Sequence, residues 1–467
     1  MKDLLSGKKH IHFIGIAGIG MSGLAKAVKA FGYFVSGSDM KDGHVLQELR
    51  KRGVVIFPGH DGKNLKDDVD LVVYSSAIKE DNPEFAAAKA QGVTMVRRAE
   101  LLAHFMNQGK SIAILGTHGK TTTSSMVSHL LSRLNLNPTC FVGGEMINFQ
   151  DNVLLGDKNW VVGEIDESDG THLLFSPSHV ILTNLELDHA DFYADLEDVK
   201  SKFAKFLENL RPDSTVVYSS DCPNLSEVIS RKELKTISYG LKAAADFSAL
   251  DIHFDGLTLS YELIHKGERL GKVVLSIPGR HNVLNSLGAI ALLYTMGLPL
   301  DEILRHLPKF LGARRRLEQK WDEPGLLVVD DYAHHPTEVA ASLSALKASG
   351  RKVTCIFQPH RYSRAISLAK IFGSSFSSAD RVILTEIYSA GEVNTFGVDS
   401  SIIYNAVTDN GHPDIHRIPK EQVIEYLLKH PEPNEIIAFL GAGDITEVAD
   451  RFVENLRTRN SNLKKAG

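Results

Sequence analysis

Two apolar segments in this chain each run directly into a glycine-rich turn and then into a helical pattern. The first segment covers residues 10–16 and precedes a helical pattern over 21–31. The second covers 111–115 and precedes a helix predicted from Lys120 to about Leu134. Because a strand that leads through such a turn into a helix is the opening of a βαβ unit, we predict parallel sheets with crossover helices.

The length and the other strand patterns indicate three successive α/β domains. Domains of roughly 100–200 residues make about three the expected number for 467 residues. A polar break at 107–110 and a Gly312-Ala313 turn separate three blocks, and residues 247–277 alternate as antiparallel hairpins do. The other predicted strands lie at 33–36, 54–57, 71–74, 160–166, 180–184, 216–218, 326–330, 352–357, 381–385 and 436–440. The predicted domains are an N-terminal Rossmann-like parallel sheet (1–107), a central P-loop ATPase-like α/β domain with added antiparallel strands (108–311) and a C-terminal Rossmann-like α/β domain (312–467).

The composition excludes several classes of function. With 52 basic and 57 acidic side chains and a net charge of −5, the chain has no excess of positive charge that would bind nucleic acid. Its three cysteines, Cys140, Cys222 and Cys355, are widely spaced, which is typical of a reducing compartment and not of a disulfide framework. The N-terminus does not read as a leader, and no segment has the length of a membrane span. We therefore expect a cytoplasmic protein with no membrane partner.

The first glycine-rich turn, Gly18-Ile19-Gly20-Met21-Ser22-Gly23, has the G-x-G-x-x-G spacing of a diphosphate-binding turn. Its glycines let the backbone approach the phosphates, and the helix N-terminus that follows offers N–H donors. Asp39 follows the next strand, where a carboxylate would bind a ribose hydroxyl. Taken alone, the pattern favours a nicotinamide dinucleotide, but UDP presents the same diphosphate and ribose. A role of the glycines in packing alone is the remaining alternative.

The second turn, Gly116-Thr117-His118-Gly119-Lys120-Thr121-Thr122, is a shortened phosphate-binding loop. The usual P-loop has four residues between its first glycine and the Gly-Lys pair, whereas this one has two. Backbone N–H groups of such a loop cradle the phosphates of ATP, Lys120 neutralises their charge, and the Thr121 hydroxyl reaches Mg²⁺. The loop therefore predicts an ATP site.

Acidic residues and a histidine follow two later strands of the same block. Glu164, Asp166 and Glu167 lie at the end of the strand predicted over 160–166, and Asp188-His189 follows the strand over 180–184. Because the carboxyl ends of parallel strands meet at one edge of a sheet, we expect these side chains beside the phosphate loop. Carboxylates are good Mg²⁺ ligands, and His189 is a candidate ligand or hydrogen-bond donor.

In combination, these motifs resemble the Mur ligase family over essentially the whole chain. The resemblance rests on motifs that occur in order in all three blocks. They are His12-Phe13-Ile14-Gly15 with Gly18–Gly23, Tyr74-Ser75-Ser76-Ala77-Ile78, Gly116–Thr123, Glu164-Ile165-Asp166-Glu167-Ser168-Asp169, Thr183-Asn184-Leu185-Glu186-Leu187-Asp188-His189, Gly279-Arg280-His281-Asn282-Val283-Leu284-Asn285, Asp330-Asp331-Tyr332-Ala333-His334-His335-Pro336, Gln358-Pro359-His360-Arg361-Tyr362-Ser363-Arg364 and Gly441-Ala442-Gly443-Asp444-Ile445.

The resemblance implies an ATP- and Mg²⁺-dependent ligase that joins L-alanine to UDP-N-acetylmuramate during cell-wall precursor synthesis. It implies that the first domain binds UDP, with Ser76 beside the first turn, and that the second binds ATP. Thr121, Glu164 and His189 would bind Mg²⁺. Asn285 would contact adenine, and Arg315 or Arg316 with Asp331 would complete the nucleotide site. Tyr332, His334, Arg361 and Arg364 would surround alanine and the muramyl carboxylate.

Amide formation from a carboxylate requires activation, which an acyl phosphate supplies. Attack of the amine on that intermediate then requires a neutral amine, so we expect a base near alanine. His334 is the candidate, with a capping or packing role before Pro336 as the equal alternative. Arg361 and Arg364 are three residues apart, so on one helical turn both guanidinium groups would face a carboxylate.

Two details differ from the family pattern, and three other functions stay open. Ala17 stands where many members have glycine, and none of Lys200, Lys202 and Lys205 lies clearly where some relatives carry a carbamylated lysine. The nearest alternative is a recycling ligase that adds a preformed tripeptide to the same sugar nucleotide. The others are a nicotinamide dehydrogenase fused to an ATPase domain and a non-catalytic UDP-sugar sensor. The oligomeric state is expected to be a monomer or a homodimer.

Overall fold

The first sheet of the protein is parallel and has five strands. The structure is a computed structural model that describes residues 4–40, 42–157, 159–188, 192–230, 234–242 and 244–466, with side chains up to residue 459. The strands are β1 (His10–Ile14), β2 (Phe34–Asp39), β3 (Val55–Pro58), β4 (Leu71–Tyr74) and β5 (Thr94–Arg97), in the order β3-β2-β1-β4-β5. The helices are α1 (Ile19–Ala30), α2 (His44–Lys51), α3 (Pro83–Gln91) and α4 (Arg98–Asn107). The strand order reverses at β1, so the first glycine turn lies where open parallel sheets bind ligands.

The second sheet has ten strands in the order β15-β14-β13-β12-β11-β10-β6-β9-β7-β8. Its strands are β6 (Lys110–Leu115), β7 (Thr139–Met146), β8 (Asp151–Leu154), β9 (Trp160–Glu164), β10 (His179–Leu182), β11 (Thr215–Ser219), β12 (Lys235–Gly240), β13 (Phe247–Asp255), β14 (Thr258–His265) and β15 (Glu268–Leu275). The accompanying helices are α5 (Lys120–Arg133), α6 (Leu196–Glu208), α7 (Pro223–Ser230), α8 (Arg280–Thr295) and α9 (Leu300–His306). Two-residue connections join β13, β14 and β15, as in antiparallel hairpins.

The third sheet has six strands in the order β16-β17-β21-β18-β19-β20, of which β16 runs antiparallel to β17. The strands are β16 (Glu318–Glu323), β17 (Leu326–Asp331), β18 (Lys352–Phe357), β19 (Arg381–Leu384), β20 (Ile415–Arg417) and β21 (Glu435–Leu440). The helices are α10 (Pro336–Lys347), α11 (Tyr362–Ser375), α12 (Ser401–Asp409), α13 (Val423–Lys429) and α14 (Ile445–Ala466). Leu440 pairs with both Asp331 and Phe357, so the segments that follow β17, β18 and β21 leave the sheet at one edge.

The central strands of the sheets are inaccessible to solvent and mostly apolar, with a few buried polar residues such as His12 and Glu435. All five residues of β1 and all six of β21 are buried, as expected of parallel strands covered by helices on both faces. The described residues form two compact units. The first comprises Met1–Leu250, Leu263–Gly271 and Leu284–Leu307, and the second Asp251–Glu262, Lys272–Val283 and Pro308–Gly467. Within the residues that are described, no helix combines the length and the apolar character that a membrane crossing requires.

The predicted fold class is confirmed in each of its three α/β parts. The predicted strands over 10–16, 160–166 and 180–184 end two residues early, at Ile14, Glu164 and Leu182, because the chain leaves the sheet to form the functional turns. The patterns did not predict the antiparallel pair of β7 and β8 or the strand β16. The domain boundaries at 107/108 and 311/312 stay a prediction.

Candidate active site

The residues that lead into the first glycine turn are held by contacts to the end of β2. The carbonyl of Ser38 accepts hydrogen bonds from the N–H groups of Gly15 and Ile16, both at 3.0 Å. The carboxylate of Asp39 accepts the N–H of Ala17 at 2.9 Å. The predicted ribose ligand therefore also fixes the turn, and this contact comes from the backbone N–H of Ala17, where many family members have glycine.

Two glycines of this turn have side chains packed closely against them. A Cβ atom at Gly20 would lie 2.8 Å from Nη1 of Arg98, and one at Gly23 would lie 2.9 Å from Nδ2 of Asn152. The expected residues Gly18 and Ile19 are exposed, and Met21 and Ser22 are buried in the first turns of α1. Ser76 is exposed just after β4. The turn thus has both a packed side and a side that faces solvent.

The phosphate loop follows β6 and is held against the segment after β10. Gly116 has a φ of 138°, and a Cβ there would lie 2.2 Å from Oγ1 of Thr183. The N–H of Thr117 donates to the carbonyl of Asn184 at 3.2 Å, and the N–H of His118 donates to Oδ1 of Asn184 at 2.8 Å. Since β10 pairs in parallel with β6, the sheet register brings this segment to the loop.

Lys120, the first residue of α5, lies inside this loop. Its Nζ donates to the carbonyl oxygens of Gly116 at 2.6 Å and Thr117 at 3.2 Å, and lies 2.9 Å from Oε2 of Glu167. Burial would lower the pKa of Lys120, but Glu167, Asp166 and Glu164 oppose it and raise the pKa above its ordinary value. The ammonium is therefore charged and is held by the carbonyl oxygens of the loop and by Glu167.

Two of the three predicted magnesium ligands lie in contact. The Thr121 hydroxyl donates to Oε1 of Glu164 at 3.0 Å, and the N–H of Gly143 donates to Oε2 of Glu164 at 2.7 Å. Glu164 is brought here because it ends β9, whose pairing with β6 sets Glu164 beside Ile114. A hydroxyl and a carboxylate are oxygen ligands that suit Mg²⁺. The third predicted ligand, His189, lies outside the described residues.

The remaining residues predicted to bind the cofactor surround the same loop. Asn285, on α8, is buried, and a Cβ at Gly119 would lie 2.6 Å from its Oδ1. Thr122 is buried in the first turn of α5. Nε2 of His118 lies 3.4 Å from Oε2 of Glu186. Gly119 has a φ of 82°, a conformation that glycine adopts without strain.

Asp331, at the end of β17 in the second unit, is buried and bound by backbone donors. Its carboxylate accepts the N–H groups of Leu317 at 2.9 Å and Ala333 at 2.7 Å, and the Ser342 hydroxyl at 3.2 Å. Burial raises the pKa of Asp331 to about 6, although Arg316 acts to lower it. Asp331 therefore orders the segment that carries Tyr332 and His334.

The two predicted arginines Arg315 and Arg316 flank Tyr332. Their guanidinium carbons lie 4.9 Å and 5.1 Å from the centre of the Tyr332 ring, within cation–π distance. Arg315 also donates to the carbonyl oxygens of Gly441 and Gly443, so it ties the turn after β21 to this cluster.

His334 lies in a cluster of rings. Its Nδ1 lies 3.0 Å from the carbonyl oxygen of Tyr332 and 3.4 Å from Oε2 of Glu338. The His334 ring is 5.7 Å from that of His360, which in turn stacks on Tyr388 at 5.7 Å. Burial lowers the pKa of His360 to about 3, and the charges of His334 and Arg364 act in the same direction. His360 is therefore neutral at physiological pH.

Arg361 and Arg364 have different surroundings. Arg361 precedes α11 with a φ of 65°, so the two arginines do not share the helical turn that their spacing suggested. Nε of Arg361 lies 4.0 Å from Oε1 of Glu392, and its side chain is 41% exposed. Nη1 of Arg364 lies 3.3 Å from Nδ1 of His360.

Several residues at these clusters were not assigned a role from the sequence. His360 lies next to Arg361 in the motif over 358–364, so its position beside two arginines is a signal that the sequence contains. Asn184 belongs to the motif over 183–189, but its contact with the loop depends on sheet register. Glu167 was expected beside the phosphate loop and lies 2.9 Å from Lys120. For Gly143 no local signal exists, because its N–H reaches Glu164 only through the pairing of β7 with β9.

Comparison with known proteins agrees with this arrangement across the chain. Residues 10–110 match the Mur ligase family catalytic domain, 114–293 the Mur ligase middle domain, and 315–443 the Mur ligase glutamate ligase domain. A UDP-N-acetylmuramate–L-alanine ligase from Geobacter sp. (strain M21) is 41% identical over 452 residues, which cover 96% of this chain and 98% of the relative. The chain belongs to the Mur ligase family.

Solved Mur ligase structures share the fold. The UDP-N-acetylmuramate-alanine ligase from Thermotoga maritima has a TM-score of 0.83 at 31% identity and covers 96% of this chain and 99% of its own. A murein peptide ligase from Psychrobacter arcticus has a TM-score of 0.71 at 24% identity, covering 96% and 98%. The second similarity shows the fold alone, because the identity is low.

Proposed function

We propose that this Mur ligase joins L-alanine to the lactyl carboxylate of UDP-N-acetylmuramate and couples this to the cleavage of ATP to ADP and phosphate. The observation that carries the proposal is the phosphate loop, in which a charged Lys120 lies beside Glu167 and Thr121 contacts Glu164. The relative from Geobacter, which is named for this activity, supports the choice of substrates at 41% identity.

The reaction has two steps that balance without a further reactant. An oxygen of the lactyl carboxylate attacks the γ-phosphorus of ATP, the bond to the β-phosphate breaks, and ADP leaves. The nitrogen of alanine then attacks the acyl carbon, the carbon–oxygen bond to phosphate breaks, and the amine proton passes to a base. The first step brings a carboxylate anion to the triphosphate, so positioning and charge neutralisation provide most of its catalysis. The second step needs a neutral amine and a base that takes its proton.

In this proposal Lys120 neutralises the transferring phosphoryl group. The backbone N–H groups of the loop Gly116–Thr122 would bind the phosphates, and Asn285 would contact the adenine. Thr121 and Glu164 would hold Mg²⁺, with His189 as the predicted third ligand; the cation would neutralise phosphate charge. The mutual contact of Thr121 and Glu164, both oxygen donors, supports this assignment.

The first glycine turn would bind the diphosphate of UDP, with Asp39 and Ser76 beside it. In the second unit, the residues proposed to bind alanine and the muramyl carboxylate are Tyr332, His334, Arg361 and Arg364. Arg315, Arg316 and Asp331 of the same unit are those proposed to bind the nucleotide. The contact of His334 with the Tyr332 carbonyl supports a fixed orientation of its ring, which a general base requires. A neutral His360 beside His334 and Arg364 supports a site for a carboxylate and a neutral amine.

Phosphate release from ATP tests the proposal directly. With UDP-N-acetylmuramate present, the wild-type protein should release phosphate only when L-alanine is added. Lys120→Ala should abolish turnover and keep UDP binding, because its change is confined to the phosphate loop. Lys205→Ala, at an exposed lysine of α6, is the matched control and should turn over normally. Wild-type turnover by Lys120→Ala would remove the loop from the mechanism, and turnover with a tripeptide in place of alanine would indicate the recycling ligase.

A cytoplasmic location, a monomeric or homodimeric state and the three-domain division stay predictions. Size-exclusion chromatography with light scattering measures the oligomeric state. Limited proteolysis near residues 107 and 311 tests the domain division.

A further inference from the structure

The buried carboxylate of Glu84 accepts several hydrogen bonds in the first unit. Glu84 has no role among the site residues described above. Glu84 is the second residue of α3 and is completely buried. Its Oε2 accepts the hydroxyl of Ser38, on β2, and lies 3.6 Å from Nδ1 of His60. The Ser38 hydroxyl is also 3.0 Å from Nδ1 of His60, so three side chains from three segments form one cluster.

The other oxygen of Glu84 binds the loop that follows β3. Oε1 accepts Nδ2 of Asn64 at 2.5 Å and the N–H of Asp61 at 3.3 Å. Asn64 in turn donates to the carbonyl of Gly59 at 3.2 Å. One buried carboxylate thus connects α3, the end of β2 and the loop over 59–64.

The carboxylate is ionised at neutral pH despite its burial. Burial raises the pKa of Glu84, but hydrogen bonds from His12, Ser38 and Asn64 outweigh it and hold the pKa below its ordinary value. A buried charge with this many donors is strongly bound to them, because an unpaired charge would be costly there. The segments that donate are therefore fixed relative to α3.

Those segments also hold the residues that lead into the first glycine turn. The Ser38 carbonyl accepts the N–H groups of Gly15 and Ile16, and the neighbouring Asp39 carboxylate accepts that of Ala17. The carbonyl of Asp39 accepts the N–H of Gly59 at 2.8 Å, at the start of the Glu84-bound loop. Glu84 therefore lies two bonded contacts away from the turn and touches none of its residues.

We propose that Glu84 is a positioning residue for the sugar nucleotide, which acts through Ser38 and the loop over 59–64 to hold the glycine turn in its diphosphate-binding conformation. The inference rests on the proposed function and deepens it for the UDP side of the reaction. Its physical basis is preorganisation: donors already aimed at the ligand require no ordering when it binds.

Glu84→Gln tests the inference, because glutamine keeps the shape and replaces one acceptor oxygen by a donor NH₂ group. The KM for UDP-N-acetylmuramate should rise about tenfold, with kcat at saturation and the KM for ATP unchanged. Glu80→Gln, whose side chain is 80% exposed near the same helix, is the matched control and should keep wild-type constants. An unchanged KM for UDP-N-acetylmuramate in folded Glu84→Gln would overturn the inference. A fall in kcat together with an equal rise in the KM for ATP would also overturn it.

Ser38→Ala provides an independent variant where Glu84→Gln does not fold. It removes the hydroxyl between Glu84 and the strand that holds the turn, so the same rise in KM is expected on a smaller scale. Ser214→Ala is its control, since Ser214 is also buried in the first unit but its hydroxyl donates to the carbonyl of Pro177 and not to the Glu84 cluster. Equal effects of the two serine variants would contradict the inference. Absence of turnover in the wild-type protein would refute the proposed function itself, so the two failures are distinguishable.

Discussion

Replacing His172 by leucine should make the first unit lose less stability as the pH falls. His172 lies in the short helical turn Thr171–Leu174 and is completely buried, with its ring 5.7 Å from that of Phe203 and 6.1 Å from that of Phe206. Burial among these rings lowers the pKa of His172 to about 4, although Asp169 acts in the opposite direction.

The sign and the size follow from proton linkage. The unfolded chain protonates His172 near pH 6.5, whereas the folded protein does so only near pH 4, so stability is lost as pH falls between these values. The whole difference between the two pKa values corresponds to about 3 kcal/mol, which is lost completely only below the pKa of the folded state, and roughly 2 kcal/mol of it is lost by pH 5. At pH 7 little of this loss is present, and the leucine variant should differ from the parent mainly through packing.

The assay can be confined to the first unit because the chain has two tryptophans, Trp160 in the first unit and Trp321 in the second. In a Trp321→Phe background, urea unfolding followed by fluorescence reports on Trp160. The difference in free energy of unfolding between His172→Leu and this parent should shift by about 2 kcal/mol in favour of the variant from pH 7 to pH 5. Other buried histidines, such as His281, are common to both proteins, so their effects cancel.

His44→Leu is the matched control, because the side chain of His44 is 82% exposed on α2. Its pH dependence should follow that of the parent. A difference between His172→Leu and the parent that stays constant from pH 7 to pH 5 would refute the reasoning.

Two further predictions concern the phosphate loop. Glu164→Gln should raise the Mg²⁺ concentration needed for half-maximal turnover at least tenfold, since it removes a charged oxygen ligand; a metal titration of phosphate release measures this, and an unchanged requirement would exclude Glu164 as a ligand. Gly116→Ala should lower the free energy of unfolding by about 3 kcal/mol or more, because its Cβ would lie 2.2 Å from Oγ1 of Thr183 at a φ of 138°. In Gly92→Ala, where φ is also positive but no atom lies within 4 Å of the new Cβ, the loss should be about 1 kcal/mol; equal losses in urea unfolding would contradict the steric argument.

The sequence by itself determined the local units of this protein. Each βαβ opening could be read because an apolar strand, a glycine turn and a helix start are short-range features. Pro336, a residue type favoured in the first turn of a helix, begins α10. The same local signal placed Lys120 and Thr121 at the start of a helix after a glycine loop. The family motifs added the roles expected of these residues.

Only the tertiary structure decided which of these units meet. Two contacts at the phosphate loop, Glu164 with Thr121 and Asn184 with His118, depend on pairing between strands that are distant in sequence. No single segment determines the order of the ten strands in this sheet. The Glu84 cluster joins residues 38, 60, 64 and 84, and the stacking of His360 on Tyr388 joins two separate loops. Local pattern specifies backbone conformation, whereas sheet register and burial, which arise from the whole chain, decide which side chains share a charge or a hydrogen bond.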